Sequence, residues 1–134
     1  MTLSGIMRHW LRAGSPLWRL VCALCWTVVL AGLFAPADEV SRFVIQGSDK
    51  VLHCLALAAM MYTARHAFPA MPVRRFWGLA MITAVALECL QPIIQPDRDF
   101  SLWDMAANVL GVGLAALLLR ANGVTATIRP KGRW

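Results

Sequence analysis

Eight polar residues lie in or beside apolar sequence in three separate stretches. Asp49, Lys50 and His53 belong to 49-DKVLH-53, and Glu88 and Gln91 to 88-ECLQ-91. Arg98, Asp104 and Asn108 belong to 98-RDFSLWDMAAN-108. Carboxylates and an imidazole can exchange protons or hold a cation, Lys and Arg can hold an anion, and the amides can orient either. Spacings of three or four place 49/53, 50/53, 88/91 and 104/108 along one face of each helix. At about 1.5 Å of rise per residue, Asn108 lies about 6 Å deeper than Asp104. His53 with Glu88 or Asp104 could perform general acid-base work if apolar walls shifted their pKa values. No Ser or Cys has a nucleophile context, so no catalytic residue is assigned. A metal held by His53, Glu88 and Asp104 has weak support from one suitably placed histidine, and neither a metal nor a cofactor is assigned.

Each residue also has a plainer role. Ser101-Leu-Trp-Asp104 fits a helix-capping pattern, with Asp104 complementing the positive helix end. Asp49 fits an N-cap, His53 a packing residue with one satisfied nitrogen, and Gln91 a partner for a frayed helix end. Asn108 is too deep for a cap, and an amide in lipid needs partners. An unpaired Asp or Lys near a bilayer centre costs roughly 2.5–3.5 kcal/mol. Glu88, one turn inside its helix, is therefore expected to face inward, near Lys50 or Arg98.

The elements carrying these residues are apolar blocks at about Leu17–Ala35, Val51–Ala64, Phe76–Leu90 and Leu102–Leu119. None alternates polar and apolar residues, which argues against strands. The 134 residues are 59% hydrophobic with a mean hydropathy of +0.60, an excess that one small core cannot hide. The expected architecture is an all-α membrane protein: a single domain over residues 1–134, a bundle of about four transmembrane helices. The middle blocks are long enough only if Asp49, Lys50 and Gln91 join their helices. Trp18, Trp77 and Trp103 lie at block ends, as interfacial anchors do. Ala107, Gly111 and Ala115 give helix four a small-residue face, with Gly111 and Ala115 as packing positions.

The net charge of +6 comes from Lys and Arg between the blocks. Arg8 and Arg12 precede block one and Arg19 lies near its start; Arg65, Arg74 and Arg75 follow block two; Arg120, Arg129, Lys131 and Arg133 end the chain. The other two linkers, 36-PADEVSRFVIQGSD-49 with its short apolar piece and 92-PIIQPDRDFS-101, are poorer in Lys and Arg. The positive-inside rule then puts both termini in the cytoplasm and the eight polar residues at the outer side. Basic residues before 35-APA-37 also resemble a signal peptide; the long apolar run favours a retained signal-anchor. Basic residues do not interleave with aromatics, so no nucleic-acid partner is expected. Cys22, Cys25, Cys54 and Cys89 read as small buried hydrophobes, since 22-CALC-25 lacks a second CxxC.

The set 49-DKVLH-53, 88-ECLQ-91 and 98-RDFSLWDMAANVLGVG-113 resembles the VanZ-like family of small bacterial membrane proteins. The family pattern is Asp-Lys-x-x-His, then Glu-x-x-Gln, then an Arg-containing segment ending Asp-x-x-x-Asn-x-x-Gly. The resemblance covers about Asp49 to Leu119. It implies a multi-pass protein of the bacterial inner membrane connected with the cell envelope; the family is named for a protein associated with teicoplanin resistance. It carries Asp49, Lys50, His53, Glu88, Gln91, Arg98, Asp104 and Asn108 over as an outer polar cluster, and Gly111 as packing. Three functions remain open on this reading. The cluster could bind a lipid head group or a lipid-linked envelope precursor, act on such a substrate, or latch helices or a membrane-protein partner together.

Overall fold

The computed structural model describes residues 11–35 and 48–124. The described residues form four helices in order: α1 (Pro16–Leu33), α2 (Asp49–Ala67), α3 (Val73–Ile94) and α4 (Leu102–Ala121). There is no strand among the described residues. Local sequence explains most of the ends. Ser15 Oγ accepts the Trp18 N–H at 3.4 Å, and Pro16 fills the first helical position, where its missing donor costs nothing. Ser101 Oγ accepts the Asp104 N–H at 3.2 Å and starts α4. In α2, Asp49 stands in the first turn and Arg65 and His66 in the last, each complementing the helix dipole. The N-cap of α2 is Ser48, so Asp49 is the first helical residue and not a cap.

The helices form an antiparallel bundle. The Gly14 N–H donates to His66 O at 2.7 Å, which puts the start of α1 beside the end of α2. Gln91 Nε2 donates to Leu33 O at 3.3 Å, which puts the end of α3 beside the end of α1. The closest pair is α2 with α4; α1 packs on α2, and α3 on α4. Gly111 permits that closest approach. A Cβ there would fall onto Cys54 O and within 2.9 Å of Leu57 Cβ. Ala107, Gly111 and Ala115 are all buried on this side of α4. The main core is Leu57, Met60, Met61, Ala80, Ala84, Leu87, Val112 and Ala115.

The bundle is apolar outside as well as inside. Val28, Ile82, Ile93, Trp103, Leu110 and Leu117 are each more than 60% exposed. Helices α1, α3 and α4 are long and apolar enough to cross a membrane. Large apolar residues facing outward suit a chain whose surroundings are lipid. Trp103 faces out, whereas Trp18 and Trp77 are half-buried, so only the first stands free as an anchor would. Among the cysteines, Cys22 is buried and Cys25 and Cys54 are half-buried, but Cys89 is exposed on α3. The apolar piece of the first linker and the 35-APA-37 site fall largely outside the described residues.

Two boundaries differ from the sequence reading. Block three extends past Leu90: α3 runs through Pro92 to Ile94. A proline in the last turn removes one bond, the one its N–H would give to the Glu88 carbonyl, and the helix still closes with Gln95 N–H to Gln91 O at 2.8 Å. The second linker also shrinks to residues 68–72, because Arg65 belongs to α2 and Arg74 and Arg75 to α3. Arg65 is not a solvated charge. It is 1% exposed, donates to Met71 O at 2.8 Å, and lies 5.4 Å from the centre of the Phe76 ring. It clasps the α2–α3 turn. Arg65→Met is expected to cost about 1–3 kcal/mol in unfolding experiments in detergent, since it leaves the half-buried Met71 carbonyl without its donor. Arg74→Met, at an exposed position, is expected to change stability little.

Candidate functional site

The eight polar residues gather at one end of the bundle, where α2 and α4 begin and α3 ends, in two layers. The deeper layer is closed. Asn108, 1% exposed, donates from Nδ2 to Ala84 O at 3.2 Å. That carbonyl can only accept, so Oδ1 of Asn108 faces α2, where it lies 3.1 Å from His53 Nδ1. His53 must therefore carry its proton on Nδ1, which leaves Nε2 turned toward the helix ends. Asn108 thus joins α2, α3 and α4 at one level.

Glu88 is also deep, at 1% exposure. Its Oε1 accepts the Ser101 N–H at 2.9 Å, and its Oε2 is buried without a hydrogen bond. Neither Lys50 nor Arg98 is its partner, contrary to the sequence expectation. The chain before α4 offers Glu88 a backbone donor at the positive end of that helix, and the two cations go elsewhere. Glu88 and Ser101 together fix the start of α4, and with it Asp104.

The outer layer is looser. Lys50 Nζ is 3.7 Å from Asp104 Oδ1, and Arg98 Nη1 is 4.0 Å from Asp49 Oδ1. His53 Nε2 is 3.9 Å from the same Asp49 oxygen. All three distances exceed the 2.7–2.9 Å typical of a tight charge-assisted bond. Asp97 and Asp99 stay on the exposed loop. Gln91 is 4% exposed and does more than tidy a frayed end, since it ties α3 to α1.

A cavity of about 480 Å³ opens beside this outer layer. Asp49, His53, Gln91 and Arg98 form its polar end. Val28, Val29, Gly32 and Leu33 of α1, with Leu52, Leu55 and Ala56 of α2, form its apolar walls. Lys50, Glu88, Asp104 and Asn108 do not line it. The cluster therefore divides into a part that lines the cavity and a part that does not; of the latter, Glu88 and Asn108 are buried and Lys50 is exposed.

Several members escaped the sequence reading. No site residue was expected in α1, yet α1 supplies one cavity wall. Gln95 donates from Nε2 to Ala35 O and doubles the Gln91 clasp, a role its position after Pro92 concealed. At the opposite end, Trp18 stacks on His66 with ring centres 4.1 Å apart, and Tyr62 lies 4.7 Å from the same imidazole. Tyr62 Oη accepts from Asn122 Nδ2 at 3.1 Å. The i,i+4 spacing of Tyr62 and His66 was the available signal.

No family model, curated protein or solved structure matches the chain.

Proposed function

We propose that this chain is a multi-pass bacterial inner-membrane protein of the VanZ-like type that binds an envelope-related amphiphile at its outer face. The observation carrying this reading is the cavity: one end polar, with Asp49, His53, Gln91 and Arg98, and the walls apolar. A polar head seated at that end and a hydrocarbon chain laid between α1 and α2 would satisfy both surfaces. The three apolar helices support the membrane placement, with α2 as the fourth span. Arg12, Arg19, Arg74, Arg75 and Arg120 are exposed at the end opposite the cluster, which supports a cytoplasmic position for that end. Lipid-linked envelope precursors and phospholipids both have this head-and-tail form.

The test fills the cavity without touching the polar residues. A Cβ on Gly32 or on Gly78 meets no atom within 4 Å, but only Gly32 lines the cavity. Wild type, Gly32→Phe and Gly78→Phe are purified from membranes, and co-purifying lipids are measured by mass spectrometry. Gly32→Phe is expected to lose most of the retained amphiphile, and Gly78→Phe to keep it. Equal retention in all three proteins would sink this reading.

A second reading applies to the enclosed layer alone. The closed His53–Asn108–Ala84 connection favours a polar latch between helices, beside the ligand site and compatible with it.

A further inference from the structure

The outer layer contains an arrangement that head-group binding does not require. Asp49 and His53 are one turn apart on α2, and Asp104 faces them from the start of α4. One oxygen of each carboxylate and one nitrogen of His53 lie within 4.8 Å of one another. His53 is 4% exposed. Its Nδ1 is engaged by Asn108 Oδ1, so Nε2 is the nitrogen that faces the carboxylates, 3.9 Å from Asp49 Oδ1. A carbonyl-type oxygen that fixes the far nitrogen of an imidazole is the usual support behind a metal-binding histidine. Asp104 Oδ1 is buried and has no hydrogen-bond donor, because Lys50 stops at 3.7 Å.

We infer that Asp49, His53 and Asp104 form a site for a divalent metal ion of the zinc type, with an open coordination position toward the cavity. One nitrogen and two carboxylate oxygens suit such an ion, and three protein ligands leave a fourth place for water or a ligand atom. Bonds of about 2.0–2.2 Å would bring the ligand atoms to roughly 3.3–3.6 Å apart in a tetrahedron. Asp49 can supply this closure by side-chain rotation, since it is 46% exposed and at the first position of α2. The His53 ring is already held by Asn108, and the Asp104 backbone by the Ser101 cap. Lys50 and Arg98 occupy the same charge field without hydrogen-bonding these carboxylates, so they compete with the ion and do not block it. The site stands independently of the amphiphile.

The test uses full-length protein without a polyhistidine tag, purified in detergent, stripped with chelator and titrated with Zn²⁺. One ion per chain is expected. Asp49→Asn and His53→Ala are expected to weaken binding by roughly tenfold to a hundredfold or more. Asp97→Asn and Asp99→Asn, on the exposed loop, are expected to leave it unchanged. Lys50→Met, which removes a competing cation at a side chain 56% exposed, is expected to hold Zn²⁺ as tightly as wild type or more tightly. His53→Ala also disturbs helix packing, so Asp49→Asn is the deciding variant, and Co²⁺ loading gives a second readout. Visible Co²⁺ bands should appear in wild type and Lys50→Met and disappear in Asp49→Asn. Wild type without stoichiometric binding, Asp49→Asn binding like wild type, equal losses in the Asp97 or Asp99 variants, or weaker binding in Lys50→Met would each overturn the site.

Discussion

Gly111→Ala is expected to destabilise the bundle more than any other single-methyl addition to α4, by about 1–3 kcal/mol. The added carbon would meet the carbonyl oxygen of Cys54, a backbone atom that no rotamer change can move aside. Leu57 Cβ at 2.9 Å and Ala58 N at 3.1 Å close the other directions. Relief therefore requires α2 and α4 to separate, and these two helices form the closest pair among the four described. Gly113→Ala is the matched control. It lies two residues along the same helix and has nothing within 4 Å of its Cβ position. Its expected effect is neutral or slightly stabilising, because alanine is the better helix former. Thermal or denaturant unfolding of both variants in detergent separates packing from helix propensity. Similar behaviour of the two would contradict the close approach described at Gly111.

The second large effect is expected at Asn108. Asn108→Leu leaves the buried His53 Nδ1–H without an acceptor, at a cost of about 1–3 kcal/mol. Ala84 O loses less, since it can keep its bond within α3. A double-mutant cycle with His53→Ala and Asn108→Ala isolates the pair. Bonds between membrane helices measured this way average about 0.6 kcal/mol and reach about 1.7 kcal/mol. A coupling in that range is expected, because both partners are almost fully buried. A coupling indistinguishable from zero would show that the two side chains do not meet. Asn108 does not line the cavity, so lipid retention normalised to folded protein should change less in Asn108→Ala than in Gly32→Phe.

The start of α4 was readable to the residue, because Ser101 and Asp104 form a local capping pattern and nothing distant overrides it. The small face at Ala107, Gly111 and Ala115 was readable for the same reason, since helical spacing alone puts the three on one side. Asn108 announced its need for partners through depth, although its choice of His53 and Ala84 depends on three helices meeting. Glu88 was harder. Its inward direction followed from energetics, but its partner is a backbone N–H that becomes available only through the path of the chain before α4. Arg65 reads as a topology charge in the sequence and is a buried clasp in the fold; composition cannot distinguish the two. The end of α3 was misplaced because proline is a statistical stop, and a helix can accommodate it in its final turn. The cavity was the least legible feature. Its apolar walls come from Val28, Gly32, Leu52 and their neighbours, residues that look the same in sequence whether they face a cavity or lipid.

Asn108 has one consequence beyond holding His53. Apolar helix faces surrounded by lipid carry little directional information, since a leucine is nearly as well solvated by a hydrocarbon tail as by another leucine. Such faces can slip past one another at small cost. An amide that donates to α3 and accepts from α2 at a single level resists that movement. Shifting α4 by one residue would move the amide about 1.5 Å along the axis and turn it by about 100°. Both of its bonds would then be lost together. Asn108 therefore acts as an alignment pin, setting the heights at which the ends of α2, α3 and α4 emerge and hence the level shared by Asp49, Gln91 and Asp104.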